Sequence, residues 1–129
     1  MEKQAVTTSH APLPLWPYSQ AIKAGDFIFC SGQIAVNPES GNLVTADIES
    51  ETVQVLENLK AVLEEAGSSL DRVVKTAIFL RDINDFAQVN AVYKSYFTVT
   101  PPARSTVQVA GLPKGAAVEI ECIALTDSF

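Results

Sequence analysis

Arg104 enters an alternating run, A-R-S-T-V-Q-V-A, directly behind the paired prolines Pro101 and Pro102. Strand side chains alternate faces with a period of two. Arg104, Thr106 and Gln108 therefore share one face, and Ser105, Val107 and Val109 share the other. The turn signal Leu112-Pro113-Lys114-Gly115 follows. A second alternating run covers 117–125, with Val118, Ile120, Cys122 and Ala124 apolar and Glu119 and Glu121 opposite them. The simplest expectation is an antiparallel hairpin. If its apolar faces coincide, one guanidinium and two carboxylates stand on one face of neighbouring strands. Such a set can hold an anion and move a proton. It can equally be a solvated ion pair worth about 0–1 kcal/mol. The pattern alone leaves both open.

The elements that must position these residues follow from the rest of the chain. A length of 129 residues points to one domain, and 47% hydrophobic content is enough for a core. The net charge is −6, and Lys and Arg form no cluster. A nucleic-acid binder needs a basic footprint, so that class is disfavoured. No apolar run approaches a membrane span. The opening M-E-K-Q-A-V-T-T-S-H has neither a signal-peptide core nor Arg-rich character. Cys30 and Cys122 are the only cysteines and lie in apolar runs. Two buried free thiols in a reducing, cytoplasmic setting are expected. His10 is the only histidine, which removes His-based triads and most zinc patterns.

Residues 1–12 show no periodicity and read as a mobile leader. The Pro-rich stretch from Leu13 to Tyr18 reads as extended and docked. A strand over 18–24, a Gly25-Asp26 turn and a strand over 27–34 form a hairpin. Ser31-Gly32 interrupts the second strand, marking a bulge or the close approach of a backbone or ligand. After a turn at 37–42, Ile48, Thr52, Val55, Leu56, Leu59, Val62, Leu63 and Ala66 recur at helical spacing. Asp47 is the expected N-cap and Gly67 the expected residue past the C-terminus. A β-branched strand over 72–80 precedes a second helix, which Asp82 could cap. The stripe of that helix is Phe86, Val89, Tyr93, Tyr96 and Phe97. Asn90 sits on the stripe and must find partners, either to hold a loop or to serve a site. The order β-β-α-β-α-β-β predicts an α+β fold, one mixed sheet with both helices on one face. The other face, left open, implies packing against further copies in a closed homo-oligomer.

Six motifs taken together carry a family resemblance: P-Y-S-Q-A from Pro17, S-G-Q from Ser31, V-V-K-T from Val73, F-A-Q-V-N from Phe86, P-A-R-S-T from Pro102 and E-I-E-C-I-A from Glu119. In order and spacing they resemble the RidA/YjgF family, many of whose members carry the label endoribonuclease L-PSP. The resemblance implies a chorismate-mutase-like domain, a homotrimer with a central barrel of sheets, and a pocket at each subunit interface. It implies hydrolysis of 2-imino acids, such as 2-iminopropanoate and 2-iminobutanoate, to 2-keto acids and ammonia without cofactor or metal. By resemblance Arg104 binds the substrate carboxylate, a role its planar fork suits and lysine cannot reproduce. Glu119 positions or activates the attacking water. Tyr18, counted with these two as catalytic, lines the site with Ser31 and Asn90, and the backbone at Gly32 and Thr106 supplies hydrogen bonds. Two departures stand out. Trp16 replaces the glycine many members have before the Pro-Tyr pair, so it could narrow the pocket or cover a neighbouring subunit. Thr106 replaces a cysteine of some members, which removes thiol chemistry there. The alternatives are a keto-acid-binding regulatory module without turnover and, against the acidic charge, an endoribonuclease.

Overall fold

The computed structural model describes residues 2–126. Strands β1 (Lys3–Val6), β2 (Ala21–Ala24), β3 (Phe27–Gln33), β4 (Val73–Leu80), β5 (Ala103–Gln108) and β6 (Val118–Leu125) form one sheet in the order β1-β2-β3-β6-β4-β5. Helices α1 (Ile48–Glu65) and α2 (Phe86–Tyr96) complete an α+β fold. The β4–β5 pair is parallel, and the β2–β3, β3–β6 and β4–β6 pairs are antiparallel.

The expected hairpin between the last two strands does not form. β5 pairs with β4, and β6 inserts between β3 and β4. Burial explains both choices. Val118, Ile120, Cys122 and Ala124 are all at most 3% exposed, which requires a central strand. The run A-R-S-T-V-Q has no fully buried residue and stands at the edge. A helix lies between β4 and β5, and such a crossover suits a parallel pair. The residues taken for a mobile leader also behave differently. β1 pairs with β2 from Lys3 opposite Ala24 to Val6 opposite Ala21. Buried Gln20 pins the next turn: its Oε1 accepts from Thr8 N at 2.7 Å, and its Nε2 donates to the Pro12 carbonyl at 2.8 Å.

The helix ends follow local chemistry. Asp47 Oδ1 accepts the Ser50 N–H at 2.7 Å, capping α1. Gly67, at φ +80°, carries the chain out of α1, and Ser68 N returns to the Leu63 carbonyl at 2.8 Å. Asp82 caps the short 3₁₀ turn Ile83–Asp85, which runs into α2.

One parity of each strand faces the helices. Ile28, Cys30, Ile78, Leu80, Val118, Ile120, Cys122 and Ala124 share a core with Val55, Leu56, Leu59, Val62, Leu63, Val89, Tyr93 and Phe97. Cys30 and Cys122 are free, buried and directly opposite each other. The other parity carries Phe27, Phe29 and Val107, which remain 42%, 45% and 46% exposed. Among the described residues, no helix is long and apolar enough to cross a membrane.

Candidate functional site

Arg104 lies opposite Thr76 in the β4–β5 ladder, so it shares the helix-facing side of the sheet. There it meets α2. Phe86, Asn90 and Tyr93 follow one another by four and three residues and so present one helix face. Arg104 Nη1 donates to Asn90 Oδ1 at 2.7 Å. Its guanidinium carbon stands 5.4 Å from the Phe86 ring centre and 4.9 Å from that of Tyr93. The Tyr93 hydroxyl is 2.8 Å from Thr76 Oγ1, which ties the ring to the residue beside Arg104. Burial pushes the Tyr93 phenol up, against the opposing pull of the Thr76 bond and the Arg104 charge. A cavity of about 410 Å³ opens here, lined by Asn90, Tyr93, Lys94, Phe97, Pro101, Pro102 and Arg104. Among the described residues no carboxylate pairs with Arg104; its contacts are the amide and the two rings.

Glu119 belongs to a different group. It lies opposite Phe79, on the open side of the sheet. The β3–β6 register shifts between Cys30 and Gln33, so the bulge expected at Ser31-Gly32 is present. A Cβ on Gly32 would stand 2.5 Å from Glu119 Oε2, so the carboxylate occupies the space a side chain would fill. Burial, and then the charge of Glu121, raise the Glu119 carboxyl above its usual range. Ser31 Oγ donates to the Ser19 carbonyl at 2.6 Å, and Ser31 N donates to the Gln20 carbonyl at 2.9 Å. These bonds hold the segment that begins at Tyr18, whose ring is 53% exposed.

The sequence pattern suggested that Arg104, Glu119 and Glu121 share a face. They do not. Glu119 and Glu121 oppose Phe79 and Ala77, whereas Arg104 opposes Thr76, and adjacent β4 residues point oppositely. Two strand spacings and three register positions put the Arg104 and Glu119 Cα atoms about 14 Å apart. The site residues thus fall into two groups. Arg104 and Asn90 are bonded on the helix side. Glu119 and Gly32 touch on the open side, and Ser31 anchors the backbone next to Tyr18. Thr106 is on the Arg104 side, opposite Ile78, with its Oγ1 buried and without a hydrogen-bond partner. Phe86 and Tyr93 were read from the sequence only as core stripe. Their spacing around Asn90 was the signal that they share its neighbour. Among the described residues no group of three or more His, Cys, Asp or Glu side chains could hold a metal ion.

Comparison with known proteins agrees with this architecture. A RutC family protein of Pyrococcus abyssi is 52% identical over 124 residues, covering 96% of this chain and 98% of its own. The 2-iminobutanoate/2-iminopropanoate deaminase of Mus musculus is 44% identical, covering 98% of this chain and 94% of its own. The crystal structure of E. coli TdcF with bound serine superposes with a TM-score of 0.90 at 42% identity, covering 95% of this chain and 98% of its own. The profile of the family described as endoribonuclease L-PSP matches residues 8–126. A match of that extent, with relatives this similar along nearly the whole chain, makes the protein a member of the endoribonuclease L-PSP family, the RidA/YjgF family to which its six motifs point.

Proposed function

We propose that the protein hydrolyses 2-imino acids to 2-keto acids and ammonia, and that it does so as a homotrimer. The observation that carries this reading is Arg104: a guanidinium held by an amide and two rings, facing a cavity, with no carboxylate among the described residues to satisfy it. A ligand carboxylate completes it through two parallel charge-assisted bonds. The deaminase named in mouse acts on acids of this class, and the serine held by E. coli TdcF carries the same group.

The chemistry required is modest. A protonated imine carbon is electrophilic. Glu119 accepts a proton from a water as the water oxygen bonds to that carbon. The proton returns to the nitrogen, Glu119 takes the carbinol hydroxyl proton as the C–N bond breaks, and ammonia leaves with a keto acid behind. A carboxyl whose proton affinity is raised by burial and by Glu121 suits a group that takes and returns a proton. Tyr18, Ser31, the Gly32 backbone and Thr106 shape the site around these two.

Arg104 and Glu119 are too far apart, and face too differently, to grip one small molecule within a chain. The open apolar side with Phe27, Phe29 and Val107 supports assembly against further copies. In the proposed trimer the Arg104 group of one subunit meets the Glu119 group of the next. Sedimentation equilibrium is expected to give three times the 13.8 kDa chain mass. An amino-acid oxidase that releases 2-iminobutanoate, with semicarbazide as trap, tests the activity. Faster loss of trappable imine is expected. An unchanged rate with tight keto-acid binding would favour a binding module, and an unchanged rate without binding would end the reading.

A further inference from the structure

We infer that Phe86 and Tyr93 are positioning residues that hold the Arg104 guanidinium in a plane ready for a carboxylate. The inference rests on the proposed function for the identity of the ligand, and on geometry for the clamp itself.

Phe86 is the telling residue. It is 37% exposed, so core formation does not account for its place. Its ring centre stands 5.4 Å from the Arg104 guanidinium carbon. Tyr93 presents a second ring at 4.9 Å. An aromatic face attracts a cation through its quadrupole, most strongly where water is displaced. Two faces and one amide restrict a side chain that otherwise turns about four torsions on an edge strand. The Tyr93 ring is itself fixed, because its hydroxyl is tied to Thr76, the residue paired with Arg104 across the ladder. Asn90 takes an N–H of Nη1 and leaves the Nε–Nη2 edge as a two-donor fork. Affinity gained in this way comes from preorganisation rather than from a new contact with the ligand.

The test uses Phe86→Leu, which removes the ring face, Phe86→Tyr, which restores it, and Tyr93→Phe, which keeps the ring but frees it from Thr76. Titration calorimetry with 2-oxobutanoate and imine kinetics are read beside sedimentation and thermal midpoint. Phe86→Leu is expected to raise both Kd and KM about fivefold to thirtyfold with little change in kcat. Phe86→Tyr is expected to return to wild-type values, and Tyr93→Phe to fall between. A structural role would move the thermal midpoint instead. The ¹⁵N-resolved Arg104 Nε–H resonance gives a readout independent of any ligand. It is expected to be sharp in the wild type and broadened in Phe86→Leu. If the wild type neither binds nor hydrolyses these acids, the proposed function fails and this resonance still judges the clamp. A folded Phe86→Leu protein with an unchanged Arg104 resonance, or with unchanged Kd and KM, would overturn the inference.

Discussion

Arg104 and Glu119 stand on opposite faces of the same sheet, two strands and three register positions apart. One reaches the helix layer and the other the open apolar face. Residues so placed can serve one small ligand only across a subunit boundary.

That relationship makes a complementation test decisive. Arg104→Ala and Glu119→Gln subunits are expected to be inactive alone. If the proposed trimer forms when they are unfolded, mixed in equal amounts and refolded, three in four trimers are expected to be mixed, and each mixed trimer to hold one intact site in three. Recovery of about a quarter of the wild-type rate is expected from closed cyclic symmetry. Mixed trimers without any recovered activity would show that the two residues do not share a site across the subunit boundary.

Arg104→Lys keeps the charge and loses the fork. Charge-assisted bonds contribute roughly 1.5–3 kcal/mol each, so losing one lowers kcat/KM on the order of tenfold to a hundredfold. Arg104→Ala is expected to abolish hydrolysis and 2-oxobutanoate binding. Both variants are expected to keep the assembly state of the wild type in sedimentation. Full activity in a folded Arg104→Ala protein would remove the carboxylate role.

Gly32→Ala probes the other group. Gly32 does not need a positive φ, so alanine introduces no backbone strain there. The three heavy atoms nearest the new methyl group all belong to the Glu119 side chain, at 2.5, 2.8 and 3.0 Å. A flexible carboxylate can move aside, so the thermal midpoint is expected to stay within a few degrees, about the effect of a small stability change. If Glu119 is the proposed base, displacing its carboxylate is expected to lower kcat on the order of a hundredfold. Wild-type kcat would show that this contact plays no part in the reaction.

The pH profile reports Glu119. Its carboxyl is raised, first by burial and then by Glu121, so the acid limb of kcat/KM is expected above the usual carboxylate range. Phe79 and Gly32 flank it from β4 and β3, Glu121 is on its own strand, and Lys75 on the same face bonds Ser105 Oγ at 3.2 Å. Glu121→Gln removes the second cause, so the limb is expected to move down. Glu119→Gln is expected to lower kcat and erase the limb. The linkage has the matching sign: a folded-state pKa above the unfolded one adds stability at low pH, which is lost as pH rises through the folded value. A limb indifferent to Glu121→Gln would exclude the coupling.

Local chemistry was legible in the sequence. Asp47 and Gly67 end α1 where a side-chain acceptor and a left-handed glycine should. Alternation named the core parity of β6, and apolar context placed both cysteines inside. The bulge at Ser31-Gly32 and the partner Asn90 had to find were visible as interruptions of a pattern. These features depend on residues within a turn or two of one another, and periodicity records that range. Which strand neighbours which is decided elsewhere. β6 lies between β3 and β4 because its buried residues need neighbours on both sides, and β5 takes the edge because its residues do not. Residues 3–6 form a strand by pairing with β2, and Gln20 holds the turn behind them by satisfying Thr8 backbone groups a dozen positions away. Alternation says which residues of a strand share a face, but not which face of a partner strand they join. Only the register of β5 and β6 against β4 does that, and it sets Arg104 among the rings of α2 and Glu119 on the opposite side of the sheet.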